Sequence, residues 1–143
     1  MCGILGKIYF NQSRVIDKNS IRDMNNTMTH RGPDDEGYYV EENIALAQRR
    51  LSIIDLESGH QPIYNEDRSI ILVCNGEIYN YKALRRELIQ AGHTFKSNTD
   101  VEVIVHLYEQ MGLGFAKRLQ GMFALAIWDK RKRRLVLCRD HAG

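Results

Sequence analysis

Apolar residues along the chain change their spacing several times, and each change marks an element. Residues 4–10 (ILGKIYF) are rich in β-branched and aromatic side chains and predict a first strand. Residues 18–29 are polar and only weakly helical. Thr29 to Asp35 reads as a loop, punctuated by Gly32, Pro33 and two acids. Gly37–Glu41 and Ile44–Ala47 predict a hairpin around Glu42-Asn43, with Arg50 to Ile54 continuing extended. Residues 56–68 are turn-rich. Ser69–Cys74 (SIILVC) is apolar on both faces, the pattern of a strand covered on both sides. Tyr81, Leu84, Leu88 and Ala91 share one helical face, stopped by Gly92. Val101, Ile104, Val105, Tyr108 and Met111 predict a second helix, with Thr99 and Glu102 at capping-box spacing and Gly112 at its end. Met122–Trp128 (MFALAIW) is another buried strand, and Leu135–Cys138 pairs with it across a basic turn. Doubly buried strands beside helices with single apolar stripes predict an α+β fold of sheets between helical layers. No repeat, low-complexity segment or internal linker interrupts the pattern.

Composition narrows the class. The chain has 143 residues, enough for one domain, with 43% hydrophobic and 27% charged residues. Its formal charge of +2 gives no strong attraction to nucleic acid or membrane. The run Lys130-Arg131-Lys132-Arg133-Arg134 is the single argument for a nucleic-acid surface, and its apolar flanks favour a solvated turn. No stretch approaches the ~20 apolar residues that span a bilayer. The start, MCGILGKIYF, lacks the basic region and cleavage site of a secretory signal, which predicts a cytoplasmic protein. Three cysteines without a CxxC argue against disulfides or zinc, and His30, His60, His93, His106 and His141 show no ligand spacing, so no metal site is expected.

Position 2 carries the chemistry. Removal of Met1, favoured before a small side chain, leaves Cys2 with a free α-amine beside its own thiol. A thiol titrates near ~8.5 and an α-amine near ~7.7–8.0, so the amine is partly neutral near neutrality and can accept the thiol proton, directly or through a water. One residue then supplies nucleophile and base, as in N-terminal threonine hydrolases. Taken alone, Cys2 is equally a small apolar residue at a chain end. Arg50 alone is a surface charge, Asp100 alone a helix-dipole partner, and Asn75-Gly76 alone a turn after a strand.

MCGILG at the start, HRGPDDEGYY at 30–39, RRLSIID at 49–55, CNGEIYN at 74–80 and SNTDVEVI at 97–104 occur in register. Together they resemble the class II glutamine amidotransferase domain of glutamine-dependent asparagine synthetases. LQGMFALAIWD and LCRDHAG extend the resemblance to the end of the chain. It implies a four-layer αββα sandwich of the N-terminal nucleophile hydrolase type over residues 1–143. It also implies that Cys2 attacks the side-chain amide of glutamine, and that Asn75 and Gly76 form the oxyanion hole. Arg50 matches the clamp on the α-carboxylate, although Arg49 is adjacent. Glu77 and Asp100 match the groups that hold the α-ammonium, and the backbone of Ile53 and Ile54 matches the pocket wall. His30, Arg31 and Gly32 shape the neighbouring loop, while Cys74 and Cys138 read as inert core thiols.

In the family a C-terminal synthetase domain follows, using ATP and magnesium to activate aspartate. This chain lacks its Ser-Gly-Gly loop and reads as a fragment cut before that domain, needing no cofactor of its own. The resemblance leaves open a homodimer, a different carboxylate acceptor and a non-catalytic glutamine-binding regulatory module.

Overall fold

A computed structural model describes residues 2–51 and 59–142 of the chain. In order the elements are β1 (Gly3–Ile8), α1 (Lys18–Asn26), β2 (Asp35–Glu41), β3 (Ile44–Arg50), β4 (Ile63–Tyr64), β5 (Ile70–Ile78), α2 (Tyr81–Gln90), α3 (Val103–Met111), a 3₁₀ helix (Gly112–Arg118), β6 (Gly121–Asp129) and β7 (Arg134–Arg139). The strands form two sheets, ordered β1-β3-β2 and β4-β5-β6-β7, and every pairing is antiparallel.

The period of two along each strand sorts side chains into layers. In β3, Ala45 and Ala47 face α1 and pack with Ile16 and Ile21. Ile44 and Leu46 point the other way and meet Ile71 and Val73 of β5 and Ala126 and Trp128 of β6. The alternate residues of the second sheet, Leu72, Cys74, Leu125 and Ile127, pack beneath Leu84 and Leu88 of α2 and Ile104 and Tyr108 of α3. The layers therefore run α1, sheet, sheet, α2 with α3, which is the αββα sandwich expected. Both central strands are covered on both faces, hence their unbroken apolar runs.

Local signals explain most boundaries. Asp17 caps α1, its carboxylate accepting from Asn19 N at 3.1 Å and Ser20 N at 3.0 Å. That helix stops at Asn26, three residues short of the expected end, and turns occupy residues 27–31. In α2 Leu84 and Leu88 are buried, whereas Ala91 is the exposed C-cap rather than part of the packed face. The expected capping box is rearranged. Thr99 Oγ1 accepts from Val101 N at 3.1 Å, before α3 begins. Glu102 reaches further back and accepts from Lys96 N at 2.7 Å and Ser97 N at 2.8 Å. Burial alone would raise the Glu102 pKa, but these bonds, with His106 and the Ser97 hydroxyl, outweigh it and bring it down to about 2.

Two strands differ from expectation. The turn-rich stretch contains the short β4, and β5 runs four residues past Cys74 through Asn75 and Gly76. A Cβ on Gly76 would sit 2.1 Å from Met122 O, and one on Gly121 would sit 2.0 Å from Glu77 O. The two glycines let β5 and β6 approach where an Asn-Gly pair alone reads as a turn. The basic run forms the turn between β6 and β7. Lys130 lies 2.9 Å from Glu41, Arg131 pairs with Asp67, Lys132 lies 3.5 Å from Asp129, and Arg133 lies 3.6 Å from Glu42. Four of its five charges thus meet local carboxylates. No helix among the described residues is long and apolar enough to cross a membrane.

Because β5 has an apolar layer on each side, Ile71→Ala and Leu72→Ala should both cost about 2–5 kcal/mol, although they face opposite layers. Leu137→Ala on β7, where the side chain is 72% exposed, should stay within about 0.5 kcal/mol. Urea unfolding monitored by circular dichroism compares the three.

Candidate active site

The residue alternation that builds the inter-sheet layer also builds the site at its open end. The pairing of β1 with β3 matches Gly3 to Arg49, so one step further brings Cys2 beside Arg50. Even-numbered residues of both strands face the second sheet. Ile4, Ile8, Ile44 and Leu46 fill the gap, and Gln48 crosses it, its Nε2 donating to Cys74 O at 2.8 Å. Arg50 and Cys2 continue that row beyond the apolar fill. On the opposing sheet β5 changes from fully buried residues through Cys74 to half-buried Asn75, Gly76 and Glu77. The strand leaves the core there and becomes one wall of a cleft.

That cleft has a volume of about 380 Å³, within the range of small-molecule sites. Cys2, Arg50, Asn75, Gly76, Glu77 and Asp100 all line it, together with Gln48, Leu51, Gln61, Thr99 and Asp140. Six of the residues singled out in the sequence are therefore brought together from four separate stretches of chain. The other two, Ile53 and Ile54, lie outside the described residues.

The parity of β3 also separates the adjacent arginines. Arg49 turns toward α1, where it lies 2.8 Å from Glu36, donates from Nε to Asn25 O at 3.4 Å, and bonds Asn26. Arg50 faces the cleft and is 8% exposed. The loop before β2 is braced on this strand end. Asp34 N donates to Arg50 O at 3.1 Å, and a Cβ on Gly32 would lie 2.5 Å from Arg50 N, so only glycine permits that approach. His30 is exposed, bonds Thr27 O at 3.1 Å through Nδ1, and is not part of the cleft lining.

Around the sulfur, Leu51 N donates to Cys2 Sγ at 3.3 Å, and Sγ lies 3.7 Å from Leu51 O. The second cysteine nearby behaves differently. Cys74 points into the helical layer, and burial, with smaller contributions from Asp100 and Cys2, pushes its thiol far above the ordinary range. Cys138 is half-buried rather than a full core residue, and its thiol is also raised by burial.

Asp100 is 8% exposed. Burial raises its pKa and the neighbouring Glu77 adds to the rise, against a hydrogen bond from Ile78 N to Oδ2 at 2.6 Å. Two neighbouring carboxylates in a half-dry cleft form a natural seat for an ammonium group. Arg50 supplies a fork for a planar carboxylate. A free amino acid carries both charges, and the Cys2 sulfur gives the same cleft a nucleophile.

The sequence did not reveal four contributors. Gln48 and Gln61 both donate to Cys74 O, at 2.8 and 3.0 Å, and Gln61 Oε1 accepts from Cys74 N at 2.7 Å. The signal for Gln48 was present as a polar residue at a buried position of IALAQRR. Leu51 acts through its backbone and leaves no sequence signal. Asp140 accepts from Phe123 N at 2.8 Å and borders the cleft beside Gly76.

Known proteins bear on the reading. Asparagine synthetase (glutamine-hydrolysing) 2 of Bacillus subtilis is 47% identical over 145 residues, covering all of this chain and 19% of that protein. Asparagine synthetase B (glutamine-hydrolysing) of Escherichia coli K12 is 41% identical over 143 residues, again all of this chain and 26% of that protein. The chain thus spans roughly a fifth to a quarter of the length of these curated relatives. Among solved structures, the glutamine phosphoribosylpyrophosphate amidotransferase of B. subtilis superposes with a TM-score of 0.56 at 21% identity, covering 71% of this chain and 24% of that one. A structure described as the allosteric regulatory enzyme of purine biosynthesis gives 0.59 at 22% identity, covering 73% and 25%. These two likenesses concern the fold. The family model for the glutamine amidotransferase domain matches residues 1–143, and the chain belongs to that family.

Proposed function

We propose that this chain hydrolyses glutamine to glutamate and ammonia through a thioester on Cys2, and that in the longer protein the ammonia goes to an ATP-dependent domain that makes asparagine from aspartate. The observation that carries the first half is the meeting of Cys2 with Asn75 and Gly76 in one cleft, although they stand on different sheets. The second half rests on the curated relatives, which are named as glutamine-hydrolysing asparagine synthetases.

The geometry supports the following course. With Met1 removed, the Cys2 amine takes the thiol proton and the sulfur attacks the side-chain carbonyl carbon of glutamine. Negative charge builds on the carbonyl oxygen, to which the Asn75 amide and the Gly76 N–H donate. The protonated amine returns its proton to the departing nitrogen, the C–N bond breaks, and ammonia leaves. Water, deprotonated by the same amine, then cleaves the γ-glutamyl thioester to release glutamate. Arg50 holds the α-carboxylate, and Asp100 with Glu77 holds the α-ammonium. Nucleophile and base both come from Cys2, so this half-reaction calls on no cofactor. ATP and magnesium belong to the synthetase half. We also place the protein in the cytoplasm.

Intact mass spectrometry before and after treatment with a glutamine-analogue chloroketone tests the nucleophile. The expected result is a chain lacking Met1 that gains one adduct, with none on Cys2→Ala, which still binds glutamine but releases no glutamate. A processed chain that gains no adduct and forms no ammonia would refute the proposal, and glutamine binding without turnover would instead mark a regulatory module.

Asn75→Ala should lower kcat by about 10²–10³, the usual effect of losing one oxyanion donor. Arg50→Lys should raise KM for glutamine by roughly tenfold or more, because a lysine loses the bidentate fork, whereas Arg49→Lys should leave KM nearly unchanged. Initial-rate kinetics on the three variants measures both effects.

Asp100 must be ionised to hold the ammonium, and its pKa is raised. KM should therefore rise on acidification at a higher pH than an ordinary aspartate would give, and the profile of Asp100→Asn should lose that limb. The raised pKa also means that the buried Asp100 favours the folded state least once ionised, above its folded pKa. Asp100→Asn should accordingly unfold no earlier than the parent at neutral pH.

A further inference from the structure

Away from the cleft, three segments converge on a second cluster. Glu66 comes from the turn between β4 and β5, His93 from the exit of α2, and His106 and Glu109 from successive turns of α3. One potential ligand atom from each lies within 4.8 Å of all the others. His93 Nδ1 is 3.1 Å from Glu66 Oε1 and 4.0 Å from Glu109 Oε2, and His106 Nδ1 is 3.3 Å from Glu66 Oε2. The histidines are too far apart in sequence to form a recognisable ligand motif, which is why their spacing gives no sign of the cluster.

His106 is the informative member. Its residue is 0% exposed, yet neither ring nitrogen has a hydrogen-bond partner: Glu66 Oε2 is close to Nδ1 but misaligned, and the carboxylate facing Nε2 is too far away. A buried imidazole with both nitrogens unsatisfied is uncommon and costly. Its Nδ1 faces the cluster. Its Nε2 lies 3.7 Å from Glu102 Oε1, a carboxylate fixed by Lys96 N and Ser97 N. Metal-bound histidines commonly show this arrangement, one nitrogen on the ion and the other directed at an outer carboxylate that sets the tautomer. Glu66 and Glu109 remain partly open to solvent, with side-chain exposures of 34% and 31%, so an ion has a way in.

We propose that Glu66, His93, His106 and Glu109 form a structural site for a divalent transition metal of the zinc class. Two imidazoles and two carboxylates suit zinc-like ions, whereas calcium and magnesium prefer all-oxygen shells. Tetrahedral bonds of about 2.0–2.1 Å place neighbouring donor atoms about 3.4 Å apart, so small rotamer adjustments draw the four donors onto one ion. Four protein ligands leave no open coordination position, which makes the site structural rather than catalytic. The bound ion joins the β4–β5 turn to α2 and α3.

The test uses the Cys2→Ala chain, so that the reactive thiol does not compete for metal. The protein is stripped with a strong chelator and titrated with Zn²⁺ against a chromophoric competitor, then with Co²⁺ read by visible absorption. The expected result is one equivalent bound per chain, a tetrahedral cobalt spectrum and a raised Tm. Both His93→Gln and Glu109→Gln, chosen because these side chains are less buried than His106, should weaken binding at least tenfold while remaining folded. Substoichiometric binding, or affinity unchanged in both variants, overturns the site. Chloroketone labelling of Cys2 in the parent chain is independent of either outcome.

Discussion

The Cys74 carbonyl is the point at which the two sheets are held in register. Gln48 reaches it from the first sheet and Gln61 reaches it from the second, at 2.8 and 3.0 Å. All three residues are buried, so these bonds form away from water and orphaning any of them is expensive. Two residues beyond Gln48 stands Arg50, and one residue beyond Cys74 stands Asn75. A slip of either sheet past the other would separate Cys2 from Asn75 and Gly76 without unfolding anything. Apolar contacts between Leu46, Val73 and Ala126 hold the layers together but do not fix their offset, because hydrophobic attraction has no direction. The two glutamines supply that direction.

Gln61 also repairs a break in the second sheet. The pairing of β4 with β5 matches Ile63 to Leu72, so the next matching pair outward would be Gln61 with Cys74. Pro62 lies between, without an N–H to donate. The Gln61 side-chain amide takes over, accepting from Cys74 N and donating to Cys74 O as a backbone rung would. Its own backbone is pressed on Gly37, where a Cβ would stand 1.6 Å from Gln61 O. The glycine of β2, the amide of Gln61 and the backbone of Cys74 thus form one continuous contact from the first sheet to the wall of the cleft.

Sequence periodicity made the layers legible because burial on both faces leaves an unbroken apolar run, as in SIILVC and MFALAIW. It missed β4, which is too short to show a period, and it ended β5 early, because Asn-Gly reads as a turn unless the facing Gly121 is known. Arg50, Asn75, Gly76, Glu77 and Asp100 were singled out through motif order rather than through any property of the residues alone, and motif order is what separated Cys2 from an ordinary chain-end cysteine. Spacing in sequence could not choose securely between Arg49 and Arg50, but strand parity does, since adjacent residues of β3 face opposite layers. Contacts made by backbone, such as Leu51 N to Cys2 Sγ, and convergences such as Glu66 with His93 and His106, depend on the tertiary path and leave no local trace.

Residues 96–102 show how one short segment serves two environments. Asp100 turns to the cleft and receives Ile78 N, while Glu102 turns inward and receives Lys96 N and Ser97 N. Thr99 ties the turn between them through Val101 N. Glu102 is also the carboxylate nearest His106 Nε2. The position of a cleft-facing aspartate is therefore set by a buried glutamate two residues away, which is itself set by the packing of α3. Because no flexible linker intervenes, whatever orders the His106 side of α3 also narrows the range of places that Asp100 can occupy in the cleft.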